Sequence, residues 1–239
     1  MSQAVIDQNK ETSVHDLFDG ISARYDYFNR LASLMMDQGW RKRAIALAQL
    51  QPEMQVLDLG AGTGDLSFAA AEKVAPAGQV TAFDLSLPML KLTQDKKQRS
   101  AFGKYVSVTS GRAEALPFPE GKFDAVVSAF VMRNVSSLDE TFEQVRRVLK
   151  FSGRLVILEF GRPKNPLVAL GYRTWMATGV PLAGLVTTGK LSPFSYLKDS
   201  IAEFLEPDRL IRQLIEIGFK EVSSESLLGG AVRIYRAVK

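Results

Sequence analysis

The 239-residue chain has no cysteine, which excludes disulfides, thiolate metal sites and every mechanism that runs through a cysteine nucleophile. Histidine occurs once, as His15, so a histidine-rich metal site is excluded too; the residue lies in a polar stretch and reads as a surface group, and no metal is expected. Residues 1–16 show neither a basic start with an apolar core nor an Arg-rich amphipathic pattern. No secretory or transit segment is therefore expected, and the protein is expected in the cytoplasm, at most peripheral on the inner face of the membrane. A bilayer-crossing run is missing as well: the uncharged stretch 174–189 is too short and too rich in Gly, Pro and Thr for a span, which needs about twenty apolar residues. Nor is one charge in large excess. The 30 Lys and Arg against 26 Asp and Glu leave +4, scattered rather than blocked, which does not argue for nucleic acid.

Glycine is concentrated where it is most informative. The run Val56-Leu57-Asp58-Leu59-Gly60-Ala61-Gly62-Thr63-Gly64-Asp65 joins an apolar strand to three glycines at alternate positions. Residues without a Cβ let a backbone turn tightly and approach a ligand closely. The run reads as a cofactor pocket, the alternative being a glycine turn before an ordinary core helix. A nicotinamide fingerprint needs Gly-x-Gly-x-x-Gly, but its last position is Asp65 counted from Gly60 and Ser67 counted from Gly62. A phosphate loop needs Gly-Lys-Ser/Thr, and here Gly64 is followed by Asp65. The flanking carboxylates would repel a pyrophosphate and suit a cationic ligand; S-adenosylmethionine carries a sulfonium and an ammonium. Val80-Thr81-Ala82-Phe83-Asp84 supplies a second acidic strand tip, at the interval of about twenty residues where such groups take ribose hydroxyls in dinucleotide folds. Loop and Asp84 together resemble class I S-adenosylmethionine-dependent methyltransferases.

Periodicity supplies the frame. Leu17, Phe18, Ile21 and Tyr25, then Phe28, Leu31, Leu34 and Met35, recur at helical steps, so residues 13–50 read as helices. Strand 55–59, helix 65–75, strand 79–84 and helix 87–100 form a β-α-β-α run whose crossovers imply a parallel sheet. Strands 105–109, 123–129 and 154–159 continue it, with a helix over 138–150 between the last two. After a long insertion, a helix over 208–217 stops at Gly218, a C-cap glycine. Segments 219–227 and 231–238, split by Gly229-Gly230, read as an antiparallel hairpin. The expected class is α/β: a Rossmann-like doubly wound sheet, N-terminal helices, a helical insertion after strand five and a C-terminal antiparallel hairpin, with ligands at the C-terminal strand ends. We expect one structural domain, with a helical cap over 1–50, a methyltransferase domain over 51–239 and a substrate lid over about 160–206.

A second layer of motifs is more particular. Gly111-Arg112-Ala113-Glu114-Ala115-Leu116-Pro117-Phe118-Pro119, Phe130-Val131-Met132-Arg133-Asn134-Val135 and Leu158-Glu159-Phe160-Gly161-Arg162-Pro163 follow strands three, four and five. With Ala23-Arg24-Tyr25-Asp26-Tyr27-Phe28-Asn29 upstream and Tyr196-Leu197-Lys198-Asp199-Ser200-Ile201 downstream, they resemble the ubiquinone/menaquinone C-methyltransferase family from about residue 15 to the end. The resemblance implies that the hairpin completes a seven-stranded sheet and that S-adenosylmethionine is the methyl donor. It also implies that Thr63 meets the methionine end, Asp84 the ribose and the Arg112-Ala113 pair the adenine side; Asp58, Gly60 and Gly62 belong to the same cofactor loop. Two departures stand out: Ala129 replaces a frequent serine, and Phe204-Leu205-Glu206-Pro207 replaces a His-Pro pair. A prenylated quinol is the implied substrate, and a homodimer would fit the family.

Carbon methylation of a quinol needs a ring carbon in line with the methyl group and help for a phenolate. An arginine stays protonated in proteins, so Arg133 can hold a water or stabilise the oxyanion but cannot be a bare base. The resemblance places Arg133, Asn134 and Tyr25 around this step: Asn134 orients, and Tyr25 closes the pocket. For each the alternative is packing or a surface ion pair. Glu159 reads as either a general base or a structural hydrogen-bond acceptor. The insertion, flanked by Arg162, Lys164, Arg173, Lys190 and Lys198, is expected to open an apolar groove toward a membrane surface or to be a plain helical layer. A nucleic-acid methyltransferase would want a basic stripe or an Asn/Asp-Pro-Pro-Tyr-like motif, which Ser128-Ala129-Phe130-Val131 lacks. Two other functions remain: another small-molecule methyltransferase with the same cofactor half, or a non-catalytic S-adenosylmethionine-binding regulator.

Overall fold

The computed structural model of the chain describes residues 24–189, 200–201 and 204–239. His15, the apolar Leu17, Phe18 and Ile21, the flanking Lys190 and Tyr196 through Asp199 of the downstream motif lie outside the described residues.

Seven strands form one sheet in the order β3-β2-β1-β4-β5-β7-β6. Strands β1 (Gln55–Leu59), β2 (Gln79–Asp84), β3 (Val106–Ser110), β4 (Phe123–Ala129) and β5 (Leu149–Phe160) run parallel, and β7 (Val232–Val238) inserts antiparallel between β5 and β6 (Lys220–Leu227). The central strands are buried almost continuously, as in β1, where only Gln55 is partly open. That is the pattern of a sheet covered on both faces. Helices α3 (Asp65–Val74), α4 (Leu87–Arg99) and α5 (Leu138–Val148) make the parallel crossovers. Their starts are local chemistry: Ser86 Oγ accepts from Met89 N with a proline in the first turn, and Ser137 Oγ accepts from Glu140 N, each satisfying an orphan helix donor. Helix α7 (Pro207–Ile217) stops at Gly218, whose φ of 99° lies in the left-handed region, the C-cap its glycine predicts.

One apolar layer gathers Phe123, Phe142, Leu214 and Tyr235; the other holds Ile45, Leu66, Val127 and Val156. A satellite cluster of Phe28, Met176, Val180, Ala183 and Ile201 joins helix α1 (Tyr25–Ala32) to α6 (Pro166–Thr188). The two helices are also stapled by Trp175 Nε1 donating to Ala32 O at 2.9 Å and Arg24 Nη1 donating to Thr187 O at 2.9 Å. These contacts run α1 antiparallel to α6. The chain leaves β1 toward β2 and β3, then returns to β4 on the other side, so the strand order reverses between β1 and β4. A cleft opens at that switch point.

Two elements differ from expectation. The N-terminal helices do not run on through 33–36: Leu34 and Met35 take φ of 51° and 66°, and α2 (Asp37–Ala48) starts afresh. Both side chains are exposed rather than core. Strand β5 begins at Leu149, not Arg154, and α5 is correspondingly shorter; the pairing with β4 shifts register between Phe123 and Ala125, and Ser152 at φ 61° absorbs the extra residues as a bulge does. Over 166–188 the insertion is a single 23-residue helix started by Asn165 Oδ1. No helix among the described residues is long and apolar enough to cross a membrane.

Candidate active site

The glycine loop is shaped by the strand beside it. Gly60 N and Ala61 N both donate to Phe83 O, at 2.8 and 3.0 Å, which folds the loop over the tip of β2. Gly60 sits at φ +74°, and a Cβ there would lie 2.2 Å from Val131 Cγ2. Gly62 sits at φ +54° with nothing within 4 Å of a built Cβ. One glycine is thus required by packing, while the other faces open space. Asp84 locks the arrangement: its Oδ2 accepts from Gly62 N at 2.7 Å and its Oδ1 from Ser86 N at 2.9 Å.

A cleft follows this loop across the C-terminal ends of β1, β2 and β4. Asp58, Gly60, Gly62, Thr63, Asp84, Arg112 and Ala113 all line it, and so do Tyr25 and Asn134. Nine of the ten residues named from sequence therefore meet at one cavity; Arg133 is the tenth.

The cleft's charges are not all available to a ligand. Asp65 is taken by the protein, with Arg30 Nη2 at 2.6 Å and Lys96 Nζ at 2.9 Å. Burial opposes its ionisation, but Lys96, Arg41 and Arg30 outweigh it and hold its carboxyl below the usual range. Asp58 is different. It is 1% exposed, its Oδ2 accepts from Ser67 Oγ at 2.5 Å, and its Oδ1 is buried with no partner. Burial pushes its pKa up to about 7, with Ser67 and Arg41 pulling the other way. A buried carboxylate oxygen without a donor is costly unless a ligand supplies one, and an ammonium does. Thr63 Oγ1 donates to Asp26 Oδ1 at 2.5 Å, and Asp26 in turn meets Lys96 at 2.6 Å. Helix α1 is thereby pinned over the loop. Arg112 Nη2 donates to Ser136 Oγ at 3.0 Å, which sets the far wall.

The pKa of the Tyr25 phenol, also in the cleft, is raised above its ordinary value by burial, against the pull of Arg133, so it stays protonated and can donate. Arg133 itself is turned away from the cleft. Its Nη1 reaches Phe130 O at 2.6 Å and Glu159 Oε1 at 2.7 Å, and its guanidinium lies over the Phe160 ring. Glu159 is fully buried, and it also accepts from Phe160 N at 2.9 Å. Of the two roles weighed for it, the structural acceptor is the one its contacts display. Two residues of interest carried no mark in the sequence. Arg41 lines the cleft from α2 but sits within the plain basic run Arg41-Lys42-Arg43. Tyr172, on α6, has a buried hydroxyl without a partner, its pKa pushed up to about 12 by burial, with Glu159 adding to the rise and Arg133 pulling the other way. Its only signal was an aromatic within the insertion. Among the described residues no group of three or more His, Cys, Asp or Glu could hold a metal ion.

Sheet order and loop define the chain's class as a Rossmann-like S-adenosylmethionine-dependent methyltransferase fold. Solved structures agree. A SAM-dependent methyltransferase from Thermotoga maritima superposes with a TM-score of 0.65 at 18% identity, covering 94% of this chain and 99% of that one. Another from Aquifex aeolicus gives 0.61 at 18% identity, over 83% and 88%. The family model described as the ubiE/COQ5 methyltransferase family matches residues 6–239. The chain belongs to that family. Ubiquinone/menaquinone biosynthesis C-methyltransferase UbiE of Ectopseudomonas mendocina is 35% identical over 237 residues, 99% of this chain and 93% of its own. The protein of the same name from Pseudomonas aeruginosa is 34% identical with the same coverage.

The cleft fits S-adenosylmethionine on its own terms. Gly62 leaves room beside the loop, Asp84 stands at the tip of β2, and Asp58 Oδ1 waits for a donor.

Proposed function

We propose that the protein methylates a ring carbon of a prenylated quinol, using S-adenosylmethionine, in the making of respiratory quinones. The observation that carries this reading is the meeting of a protonated phenol, Tyr25, and an amide, Asn134, with the glycine loop in one cleft. The names of the relatives point the same way. Bound S-adenosylmethionine would supply an electrophilic methyl group. Asp58, Thr63 and the loop would hold its amino-acid end, Asp84 the ribose, and Arg112 with Ala113 the adenine.

The quinol hydroxyl gives up its proton as the ring carbon bonds to the methyl carbon and the sulfur–methyl bond breaks, leaving S-adenosylhomocysteine; the ring C–H proton then leaves and a proton returns to the oxygen, so that the aromatic quinol is restored and one proton is released overall. Tyr25 and Asn134 donate to the ring oxygen while charge develops on it. Arg133, just behind them, contributes a fixed positive charge that favours the ring oxyanion, and the released proton passes to water. Glu159, already engaged by Arg133 and Phe160 N, holds Arg133 in place.

Helix α6 covers the substrate side as the described part of a lid, and α1 with α2 form the described part of an N-terminal cap. The outward face of α6 rests on a membrane surface, with Arg162 and Lys164 at its start meeting lipid headgroups. Incubating the protein with labelled S-adenosylmethionine and demethylated benzoquinols and naphthoquinols tests the reaction. Label in the quinol carbon skeleton is the expected result. Binding of S-adenosylmethionine without transfer to any quinol would make the protein a regulator, and transfer only to other small molecules would move it to another methyltransferase.

A further inference from the structure

Arg41 has the features of a ligand-binding cation rather than a structural one. Its side chain is 12% exposed and lines the cleft beside Tyr25 and Asp58. Its only ionic neighbour among the described residues is Asp37, at 3.6 Å from Nε, beyond hydrogen-bond length. Nε has no hydrogen-bond partner. Asp37 is already engaged by Arg30, by Ser33 Oγ at 3.0 Å and by Gln38 Nε2 at 3.2 Å, so it cannot serve Arg41 fully. Nothing in this arrangement is loose, however. The Arg41 guanidinium stacks 5.5 Å from the Phe130 ring centre, and Trp40 meets the same ring edge-on. A planar fork of donors, held in place and under-satisfied, matches a carboxylate.

The cleft's charged residues differ in how fully the protein engages them. Around Asp84, two backbone donors already engage the carboxylate, and the next lining residues, Gly111 to Glu114, form a wall whose Arg112 and Glu114 bond to Ser136. Elsewhere in the cleft a largely buried cation and a buried anion, Arg41 and Asp58, each keep one polar atom without a hydrogen-bond partner, Nε and Oδ1, and form no ion pair within 4 Å of each other. A gap between two under-satisfied opposite charges suits a zwitterion.

We infer that Arg41 binds the α-carboxylate of the methionine moiety while Asp58 takes its α-ammonium, making Arg41 the residue by which the protein demands an intact amino acid on its methyl donor. The inference rests on the cleft being the S-adenosylmethionine site. It predicts discrimination against decarboxylated S-adenosylmethionine, which keeps the sulfonium and the ammonium but has no anion for Arg41.

Calorimetry without any quinol tests it, with S-adenosylhomocysteine and 5′-methylthioadenosine, which lacks the amino acid, as paired probes. Arg41→Met should weaken S-adenosylhomocysteine roughly ten- to hundredfold, the scale of one charge-assisted contact, and leave 5′-methylthioadenosine unchanged. Unchanged binding of the second probe also shows that the variant is folded. Arg41→Lys should recover part of the loss. Equal weakening of both probes, or none of either, overturns the inference while leaving the cofactor site in place. If neither probe binds the wild-type protein, the cofactor reading falls and the inference with it.

Discussion

Arg133 Nη1 lies 2.7 Å from Glu159 Oε1, with the two side chains 3% and 0% exposed. A pair this deep does two jobs at once: it places a positive charge behind Tyr25 and Asn134, and it ties the turn after β4 to the end of β5. Removing one partner leaves the other charged and buried, which costs about 3–5 kcal/mol. Arg133→Ala should therefore lower the denaturant midpoint as well as turnover, the latter by about two orders of magnitude or more. Combining Arg133→Met with Glu159→Leu should recover most of the stability, because no orphan charge remains. If turnover recovers along with stability, Arg133 acts only through the fold; a persistent loss in a stable double variant places it in the chemistry.

Asp58 gives the protein a pH signature. Its folded pKa of about 7 lies above the ordinary unfolded value of about 3.9. The folded state thus binds the extra proton between these values, and stability falls as pH rises from about 4 through about 7. Binding an ammonium needs the ionised carboxylate, so donor affinity should climb through the upper part of the same window. Urea titrations of ligand-free protein should show the decline, and Asp58→Asn should flatten it. The same variant should bind S-adenosylhomocysteine weakly at pH 8, and calorimetry across pH 5.5–8 checks the affinity arm. A wild-type affinity that does not change with pH would contradict the assignment of Asp58 to the ammonium.

Gly60 and Gly62 are two residues apart and should fail differently. At Gly60 an added methyl meets Val131 at 2.2 Å, so Gly60→Ala should lower the melting temperature and donor affinity together. At Gly62 the methyl meets nothing. The fold then bears only the left-handed backbone, about 1–2 kcal/mol, while the methyl occupies space meant for the ligand. Gly62→Ala is expected to melt within a few degrees of wild type yet lose at least tenfold in S-adenosylhomocysteine affinity. Thermal melts with calorimetry on both variants separate the two effects.

Much of this was visible in the chain itself because it was written locally. Alternating glycines after an apolar strand marked the loop, Gly218 marked the end of α7, and Gly229-Gly230 marked the hairpin. The start of β5 was hidden: Phe151 is 85% exposed and Ser152-Gly153 looks like a turn, although the backbone stays in the sheet through a bulge. The break between α1 and α2 was hidden for a related reason, since Leu34 and Met35 continue the apolar rhythm while their backbone leaves the helix. Arg133 was legible as a motif, but its orientation depends on Glu159, 26 residues on. Arg41 and Tyr172 matter only through what tertiary folding leaves unpaired beside them, and no local pattern encodes that.

The outward face of α6 is the strongest departure from ordinary surface chemistry. Leu167, Leu170, Leu182, Leu185 and Val186 are exposed, from 49% to 81%, and the exposed positions between them include Gly171, Thr174, Ala177 and Thr178. Arg173 is the helix's one charged residue. A helix packed on a core through Met176, Val180 and Ala183 should turn a polar face to water; this one is apolar on both sides. A contact with lipid acyl chains removes the conflict, at about 1.5–3 kcal/mol for each leucine fully buried. Replacing Leu182 and Leu185 with Glu should cut co-flotation with anionic liposomes at least tenfold. Methylation of a short-tailed, water-soluble quinol should be unaffected, because neither side chain points at the cleft. Equal flotation of variant and wild type would remove α6 as the membrane face. A wild-type dimer that the variant splits into monomers would assign the face to a second copy of the chain instead.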